Sequence, residues 1–315
     1  MRILLIATGD IAIPTLNWLA ESESHSLVGV VTQPDKPVGR HQEIVAAPLK
    51  KAALQQGVPV FQPEKIRDPA ALAVIQNLRP DLIVVMAYGQ ILPQSLLDAP
   101  SVACLNLHAS LLPRHRGAAP IQAAIESGDF ETGVTVMHVS AGLDAGDILL
   151  DKKIRIRRRE TGGTLHDRLA LLAPEALSEA LESVGRGLIP RIPQDPSLVT
   201  YAAKLSRENG LIRWDSDAIA IERKIRAMNP WPASHTTLPG GQGPRKLKVF
   251  SAIVCLKSSG APGEVLQADR HGLLVGCGRG AVRLREIQLE GKRRMTVREF
   301  LPGHPIGCRT ILGQV

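Results

Sequence analysis

The chain has 315 residues, enough for two domains. Its hydrophobic fraction of 44%, charged fraction of 22% and net charge of +8 are those of an ordinary soluble globular protein. No apolar run approaches the roughly 18 residues that a membrane-spanning helix needs, so we expect no membrane partner. The apolar N-terminus is cut short at Thr8-Gly9-Asp10, so we interpret it as a buried strand rather than a secretory signal.

The first part of the chain alternates short apolar runs with helical stretches. Because buried strands that alternate with amphipathic helices are typical of parallel sheets, we predict an α/β, Rossmann-like, mostly parallel domain. The turn after the first strand lacks the G-x-G-x-x-G fingerprint, which argues against a dinucleotide site. The predicted strands are Ile3–Ala7, Leu27–Val31, Leu82–Ala87 and Val102–Leu107, and the predicted helices are Ile13–Ser22, Pro48–Gln56 and Pro69–Asn77.

The most informative stretch is Cys104 to Gln122, CLNLHASLLPRHRGAAPIQ. Asn106 and His108 are two residues apart in a predicted strand, so their side chains point to the same face. Gly117 permits a close backbone approach, and an amide donor beside a titratable imidazole suits acyl-group chemistry. The plainer alternative is a strand, a turn and a satisfied, half-buried histidine.

A basic run, KKIRIRRR, occupies residues 152–159. Lys153, Arg155 and Arg157 alternate with isoleucines at strand spacing, so the run predicts a strand with one charged face. Such a strand is usually a solvated sheet edge that its charges protect from aggregation. The second interpretation is a contact with nucleic-acid phosphates. Helical periodicity resumes from Leu165 to Val184.

Prolines and glycines between Gly185 and Pro196 predict a linker. The sequence then predicts a helix at Ala218–Met228 and short alternating strands from Leu247, a pattern that indicates a small OB-like β-barrel. We therefore expect a catalytic domain at 1–189, a linker at 190–207 and a C-terminal domain at 208–315. Residues 1–200 have a net charge of −2 and residues 201–315 of +10. This division suggests a polyanion bound away from the chemistry, although a merely cationic, soluble surface is the alternative.

The four cysteines form no C-x-x-C pair and have no histidine at zinc-ligand spacing. We therefore expect no metal. Isolated thiols without a signal peptide fit a reducing compartment, so we predict a cytoplasmic protein.

The central stretch resembles the signature of the folate-dependent formyltransferases, which is Asn-x-His, then Ser-Leu-Leu-Pro, then Arg-Gly. The aspartate that the family places about three dozen positions later matches Asp144, within GLDAGD. Other matches cover most of the chain, and they are Thr32–Asp35, Ala87–Gly89, Ile91–Pro93, Glu131–Thr135 and Asn229–Pro232.

The resemblance implies transfer of a formyl group from 10-formyltetrahydrofolate to an amine. It implies that Asn106 and His108 donate hydrogen bonds to the oxyanion of the tetrahedral intermediate, while Asp144 orients His108 and accepts the proton of the attacking ammonium. The folate contacts that it implies are Ser110, Leu111, Leu112 and Pro113, together with Met86, Ala87 and Tyr88.

The ending Ala-Ala-Pro-Ile-Gln is most similar to the family branch that acts on methionyl-tRNA. It implies initiator methionyl-tRNA as the partner of a monomeric enzyme. Lys36 and Arg40, in the irregular loop Gln33–Pro48, are the implied tRNA contacts. That loop has His41, Gln42 and Glu43 where the family often has lysines, so we hypothesise that the basic strand partly replaces its phosphate contacts.

Three alternatives remain open. The first is a related formyltransferase that acts on a sugar-nucleotide amine or glycinamide ribonucleotide, which would share the same Asn, His and Asp. The second is an RNA-binding protein with a vestigial catalytic core. The third, a dinucleotide-binding oxidoreductase, is disfavoured by the missing glycine fingerprint.

Overall fold

The computed structural model describes residues 1–38, 43–240 and 243–313. It divides into two compact units. The first consists of Met1–Pro120, Glu131–Arg155 and His166–Ala203, and the second of Ile121–Phe130, Ile156–Leu165 and Lys204–Val315. In the described part of the chain, no helix is long and apolar enough to span a bilayer.

The main sheet of the first unit confirms the predicted mostly parallel α/β domain. Its strand order is β10-β9-β7-β6-β1-β2-β5; the pairs from β7 to β5 are parallel, and β9 and β10 are antiparallel additions. Two-residue strands β8 and β11 pair with each other, and β3 pairs with β4. The strands are β1 (Arg2–Ala7), β2 (Ser26–Val31), β3 (Lys36–Val38), β4 (Glu43–Val45), β5 (Val60–Phe61), β6 (Leu82–Met86), β7 (Ala103–His108), β8 (Arg116–Gly117), β9 (Glu131–His138), β10 (Ile148–Arg155) and β11 (Tyr201–Ala202).

Prolines begin several of the helices. The first helical turn tolerates proline because its N–H groups have no partner within the helix, and Pro48 and Pro69 open helices for this reason. The helices are α1 (Ile13–Ala20), α2 (Pro48–Gln55), α3 (Pro69–Asn77), α4 (Gln94–Leu97), α5 (Pro120–Ser127) and α6 (Gly162–Gly185). Residues 121–127 of α5 and 162–165 of α6 belong to the second unit.

Strand β1 lies at the centre of the core, between β6 and β2, and Ile3 to Ala7 are completely buried. A strand buried on both faces is apolar throughout instead of alternating, and this explains why its sequence is a continuous hydrophobic run. Parallel strands bring their carboxyl ends to the same edge of the sheet, where ligands of open α/β sheets bind.

The basic run only partly forms the predicted strand. β10 is an edge strand, as expected, and Lys153 and Arg155 are exposed on it. Arg157 lies beyond the end of β10, because its backbone N–H donates to the carboxylate of Glu160 at 2.7 Å and turns the chain. The alternating basic face is therefore shorter than the sequence predicts.

The second unit is antiparallel and rich in strands, as predicted, and its strand order is consistent with a small barrel. The order is β12-β13-β16-β15-β14, with β17 also pairing with β16. Apolar residues of the strands pack with α7 and α8, and Trp214 joins this core by donating to Thr236 at 3.0 Å. The elements are α7 (Ala218–Ala227), β12 (Ser234–Leu238), β13 (Arg245–Cys255), β14 (Val265–Asp269), β15 (Gly272–Gly276), β16 (Ala281–Leu289), β17 (Met295–Thr296) and α8 (Val297–Phe300).

Candidate active site

Strand β7 positions the two central side chains. It lies between β6 and β9, with Asn106 opposite Val85 on one side and Met137 on the other. His108 ends the strand and is only 6% exposed, while Asn106 is half-buried. Because alternate residues of a strand share a face, both polar groups lie on the same side of the sheet. The spacing in the sequence predicts this arrangement.

Both ring nitrogens of His108 have acceptors in the protein. Nε2 lies 3.0 Å from the backbone carbonyl oxygen of His115, and Nδ1 lies 3.6 Å from Oδ2 of Asp144. Since a carbonyl oxygen only accepts, Nε2 has its hydrogen in this contact. The proton that His108 gains or loses is therefore the one at Nδ1, beside the carboxylate.

Burial lowers the pKa of His108 below its ordinary value, because the charged imidazolium loses its hydration. The carboxylate of Asp144 and the hydrogen bond to His115 act in the opposite direction, but burial is the larger effect. The ring is accordingly neutral near pH 7, and Nδ1 is ready to take a proton.

Asp144 is held in place by the backbone of Gly117. The N–H of Gly117 donates to Oδ2 of Asp144 at 2.8 Å. Gly117 has φ +117°, and a Cβ there would lie 2.5 Å from the carbonyl oxygen of Ala202. Only glycine therefore fits at this position, and the close approach fixes one side of the aspartate.

Gln194 holds the other side of the aspartate loop. Its Nε2 donates to the carbonyl oxygens of Asp144 and Gly146, both at 2.8 Å. Its Oε1 accepts from Nε and Nη2 of Arg116 at 3.0 and 2.7 Å. One side chain thus joins the Arg116 segment to the Asp144 loop.

The sequence analysis missed Gln194, because it lies in the segment interpreted as a linker, and a single glutamine among prolines has no distinctive pattern. The same segment also supports the histidine loop. The backbone N–H of His115 donates to Oγ1 of Thr200 at 2.8 Å. The backbone N–H of Arg116 donates to the carbonyl oxygen of Thr200, also at 2.8 Å. These residues all belong to the first unit.

The turn from Ser110 to Pro113 is rigidly built. Ser110 is fully buried, and its hydroxyl donates to the carbonyl oxygen of Arg114 at 2.7 Å. Thr135 accepts from the N–H of Leu112 at 3.1 Å and donates to the carbonyl of Ser110 at 2.7 Å. Leu112 is also buried, so Leu111 and Pro113 are the half-buried members of the turn.

The segment after β6 leaves the sheet at its carboxyl edge, as the Ser110–Pro113 turn after β7 does. We call these two segments the walls of the candidate site. Ala87 is exposed with φ +48°, between the buried side chains of Met86 and Tyr88. Gln33, which follows β2, donates from Nε2 to the carbonyl of Tyr88 at 3.1 Å, and Thr8, which follows β1, donates to the same oxygen at 3.4 Å. Burial raises the pKa of Tyr88 to about 12, so its phenol stays neutral.

Of the two residues predicted to contact tRNA, Lys36 is exposed at the start of β3. Arg40 lies outside the described residues. Strands β3 and β4 pair on either side of it, and Ile44 on β4 is 74% exposed.

Comparisons with known proteins agree with the predicted family. The formyl transferase family model matches residues 1–181, and the model for the formyl transferase C-terminal domain matches 204–305. The methionyl-tRNA formyltransferase of Methylacidiphilum infernorum is 46% identical over 100% of this chain and 98% of its own length. That of Akkermansia muciniphila is 48% identical over 97% of both chains.

Solved structures share the fold at low identity. WlaRD, a sugar 3N-formyl transferase determined with dTDP and 5-N-formyl-THF, has a TM-score of 0.67 at 15% identity, over 93% of this chain and 99% of that one. HypX from Aquifex aeolicus, in complex with tetrahydrofolic acid, has a TM-score of 0.61 at 19% identity, over 95% of this chain and 46% of that one. With full-length relatives at this identity and matches to both models, the chain belongs to the formyl transferase family.

Proposed function

We propose that this protein transfers the formyl group of 10-formyltetrahydrofolate to the α-amine of methionyl-initiator tRNA, giving N-formylmethionyl-tRNA for translation initiation. The observation that carries the proposal is identity of 46–48% over nearly the whole chain with proteins named for this reaction. That identity extends through the basic C-terminal part of the chain. We propose that the enzyme acts as a cytoplasmic monomer.

Asn106 is proposed as the main hydrogen-bond donor to the oxyanion. When the amine attacks the formyl carbon, negative charge develops on its oxygen, and a preorganised donor lowers the barrier. In the described part of the chain, the side-chain amide of Asn106 has no hydrogen-bond partner. Its N–H groups are therefore available to a substrate oxygen without breaking a bond in the protein.

His108 and Asp144 are proposed as the proton-transfer pair. Attack by a neutral amine on the formyl carbon leaves an ammonium in the tetrahedral intermediate, and its extra proton has to be removed. The carbon–N10 bond then breaks, and N10 takes a proton as tetrahydrofolate leaves. Asp144 accepts the proton directly or through Nδ1 of His108, 3.6 Å away. Because Nε2 is engaged with His115, His108 donates to the oxyanion from Nδ1, and only after Nδ1 has taken the ammonium proton.

The folate is proposed to bind along the carboxyl edge of the sheet, between the two walls described above. One wall is the turn formed by Ser110, Leu111, Leu112 and Pro113; since the hydroxyl of Ser110 is already engaged, that residue acts by holding the turn. The other wall is Met86, Ala87 and Tyr88, where exposed backbone at Ala87 offers hydrogen bonds to a pteridine. Folate-bound members of the same fold support this use of the family's site.

For the RNA, we propose contacts from Lys36 and Arg40 to the acceptor end, and from the C-terminal domain to the rest. The net charge of +10 on residues 201–315 supports the second contact. We propose domain boundaries at 1–189 for the catalytic domain, 190–207 for the linker and 208–315 for the tRNA-binding domain.

The experiment that tests this function offers labelled 10-formyltetrahydrofolate with one of three amines. These are methionyl-initiator tRNA, glycinamide ribonucleotide and a UDP-amino sugar. We expect label only in the methionyl-tRNA, and none with the Asn106→Ala variant. Label in either small amine, but not in the tRNA, would overturn the proposal in favour of a related formyltransferase. Binding of tRNA without transfer to any amine would instead indicate an RNA-binding protein.

A further inference from the structure

A cavity of about 520 Å³ opens in the second unit. Its walls come from β13, from the turn between β14 and β15, from β16 and from the start of α8. Cationic side chains dominate the described part of the lining, where Arg270, Arg285 and Arg298 are joined by His271 and a single acidic residue, Glu286. The site described above does not use any of these residues.

The acid in this cavity is already neutralised. The carboxylate of Glu286 is paired with the guanidinium of Arg294. His271 is also engaged, because its Nε2 accepts from Nε of Arg270 at 3.2 Å. The charge that remains in the cavity is therefore that of the three arginines.

Two of these arginines are free to bind a ligand. Arg285 and Arg298 are exposed, and over the described ranges neither side chain has a hydrogen bond or an ion pair. Arg270 uses only Nε, so its terminal nitrogens remain available. Guanidinium groups bind phosphate oxygens in bidentate pairs, and three of them around one concavity form a receptor for an anion.

The lining also indicates which kind of anion binds. Among the described residues, Val297 is the one apolar residue of the lining apart from Gly272, and no phenylalanine, tyrosine or tryptophan lines the cavity. Sites for free nucleotides and drug-sized ligands are mostly apolar and supply surfaces for ring stacking. This cavity therefore suits a phosphate group whose attached base lies elsewhere, as in a nucleic-acid backbone.

We propose that the cavity of Arg270, Arg285 and Arg298 binds a backbone phosphate of the RNA substrate. The proposal rests on the proposed function and deepens it, since it assigns part of the positive charge of residues 201–315 to a defined pocket. A phosphate seated there fixes the position of the RNA on the unit without reading its sequence.

The test compares two triple variants with equal changes in charge. The cavity variant is Arg270→Gln, Arg285→Gln and Arg298→Gln. The control is Arg213→Gln, Lys257→Gln and Lys292→Gln, which changes three exposed cations of the same unit that do not line the cavity. Affinity for methionyl-initiator tRNA is measured at several salt concentrations, and melting curves check that each variant is folded.

For the cavity variant we expect roughly tenfold or greater loss of tRNA affinity at low salt, and a salt slope reduced by about 1 to 2. The control variant should lose clearly less tRNA affinity, because it only weakens the overall positive electrostatic potential of the unit. Replacing the three arginines by lysine should give an intermediate affinity, since charge is kept and bidentate bonding is lost.

Equal losses of affinity in the cavity and control variants would overturn the proposal. A second outcome would also overturn it, and would identify a site for a free anion. In that outcome the wild type binds sodium pyrophosphate, the cavity variant does not, and both bind tRNA with the same affinity. A different result would overturn the proposed function itself, namely that the wild-type protein binds tRNA but does not formylate it.

Discussion

Gln194 donates from its carboxamide nitrogen to the backbone carbonyl of Asp144 at 2.8 Å, so a residue 50 positions later positions the aspartate of the proposed active site. The same carboxamide is itself oriented by Arg116, whose guanidinium donates two hydrogen bonds to its oxygen. The aspartate is thus held through its backbone by Gln194 and through its side chain by Gly117. A group that transfers protons in one geometry benefits from such support on both sides.

Gln194→Glu tests this support. The variant keeps an acceptor for Arg116 but loses both donors and sets a negative charge against the carbonyl oxygens of Asp144 and Gly146. We expect kcat to fall about 10- to 100-fold, with a smaller change in KM for the folate, because misplacement by about 1 Å has this effect on chemistry. Steady-state kinetics measure the two constants. Arg116→Lys leaves the N–H donors of Gln194 in place, so kcat should fall less than in Gln194→Glu. A larger fall in Arg116→Lys than in Gln194→Glu would show that Gln194 serves only to hold Arg116.

Asp144→Asn tests the proton-transfer role. The asparagine oxygen still accepts from Gly117, so the free energy of unfolding should change by no more than about 1 kcal/mol. The rate should fall about 10²- to 10⁴-fold, because the general base is lost. Asp147→Asn is the matched control, since Asp147 lies in the same loop and pairs only loosely with Arg191, at 3.8 Å. Near-normal turnover by Asp144→Asn would remove the aspartate from the mechanism.

The pKa of His108 should respond to Asp144 in a defined direction. Burial lowers this pKa, and the carboxylate of Asp144 raises it by stabilising the imidazolium. In Asp144→Asn the stabilising charge is gone, so the pKa of His108 should fall further below its ordinary value. An NMR titration of the ring in both proteins, from acidic to neutral pH, measures the change. An increase in the pKa of His108 would contradict the assigned contact.

Gly117→Ala should be destabilising for two reasons that a control separates. At φ +117° an alanine is strained, and its Cβ would also lie 2.5 Å from the carbonyl oxygen of Ala202. We expect the free energy of unfolding to fall by at least about 2 kcal/mol, with lost activity. Gly57→Ala has positive φ, but within the described part of the chain no atom lies within 4 Å of the added Cβ, so it should cost only about 1 kcal/mol. Denaturant unfolding measures the free energy of unfolding of both variants. Equal losses in Gly117→Ala and Gly57→Ala would mean that the structure relaxes around the contact with Ala202.

The basic edge strand provides the fifth prediction. Lys153 and Arg155 are exposed on β10, and we expect the double change to glutamine to weaken tRNA binding and lower its salt slope, with turnover at saturating tRNA unchanged. Lys51→Gln with Arg67→Gln removes equal charge elsewhere on the first unit. If the strand only protects a sheet edge, affinity should match this control and solubility should fall.

Local patterns in the sequence determined the elements and one part of the site. The spacing of Asn106 and His108 alone places both on one face of a strand, because side chains alternate along any β-strand. Continuous apolar runs such as Ile3–Ala7 determined the parallel sheet for a similar reason, since burial on both faces leaves no room for polar residues. The resemblance to the family signature predicts Asp144 as the third residue of the site.

Tertiary structure alone decided what holds that aspartate in place. The contacts of Gln194 with Asp144, and of Gly117 with Ala202, join residues 50 and 85 positions apart. Neither contact produces a period or a composition that a local pattern can detect. Arg157 left its predicted strand for a similar reason, because a carboxylate three residues later captured its N–H group. A hydrogen bond depends on where two chain segments meet in space, and this is determined only when the whole core has packed.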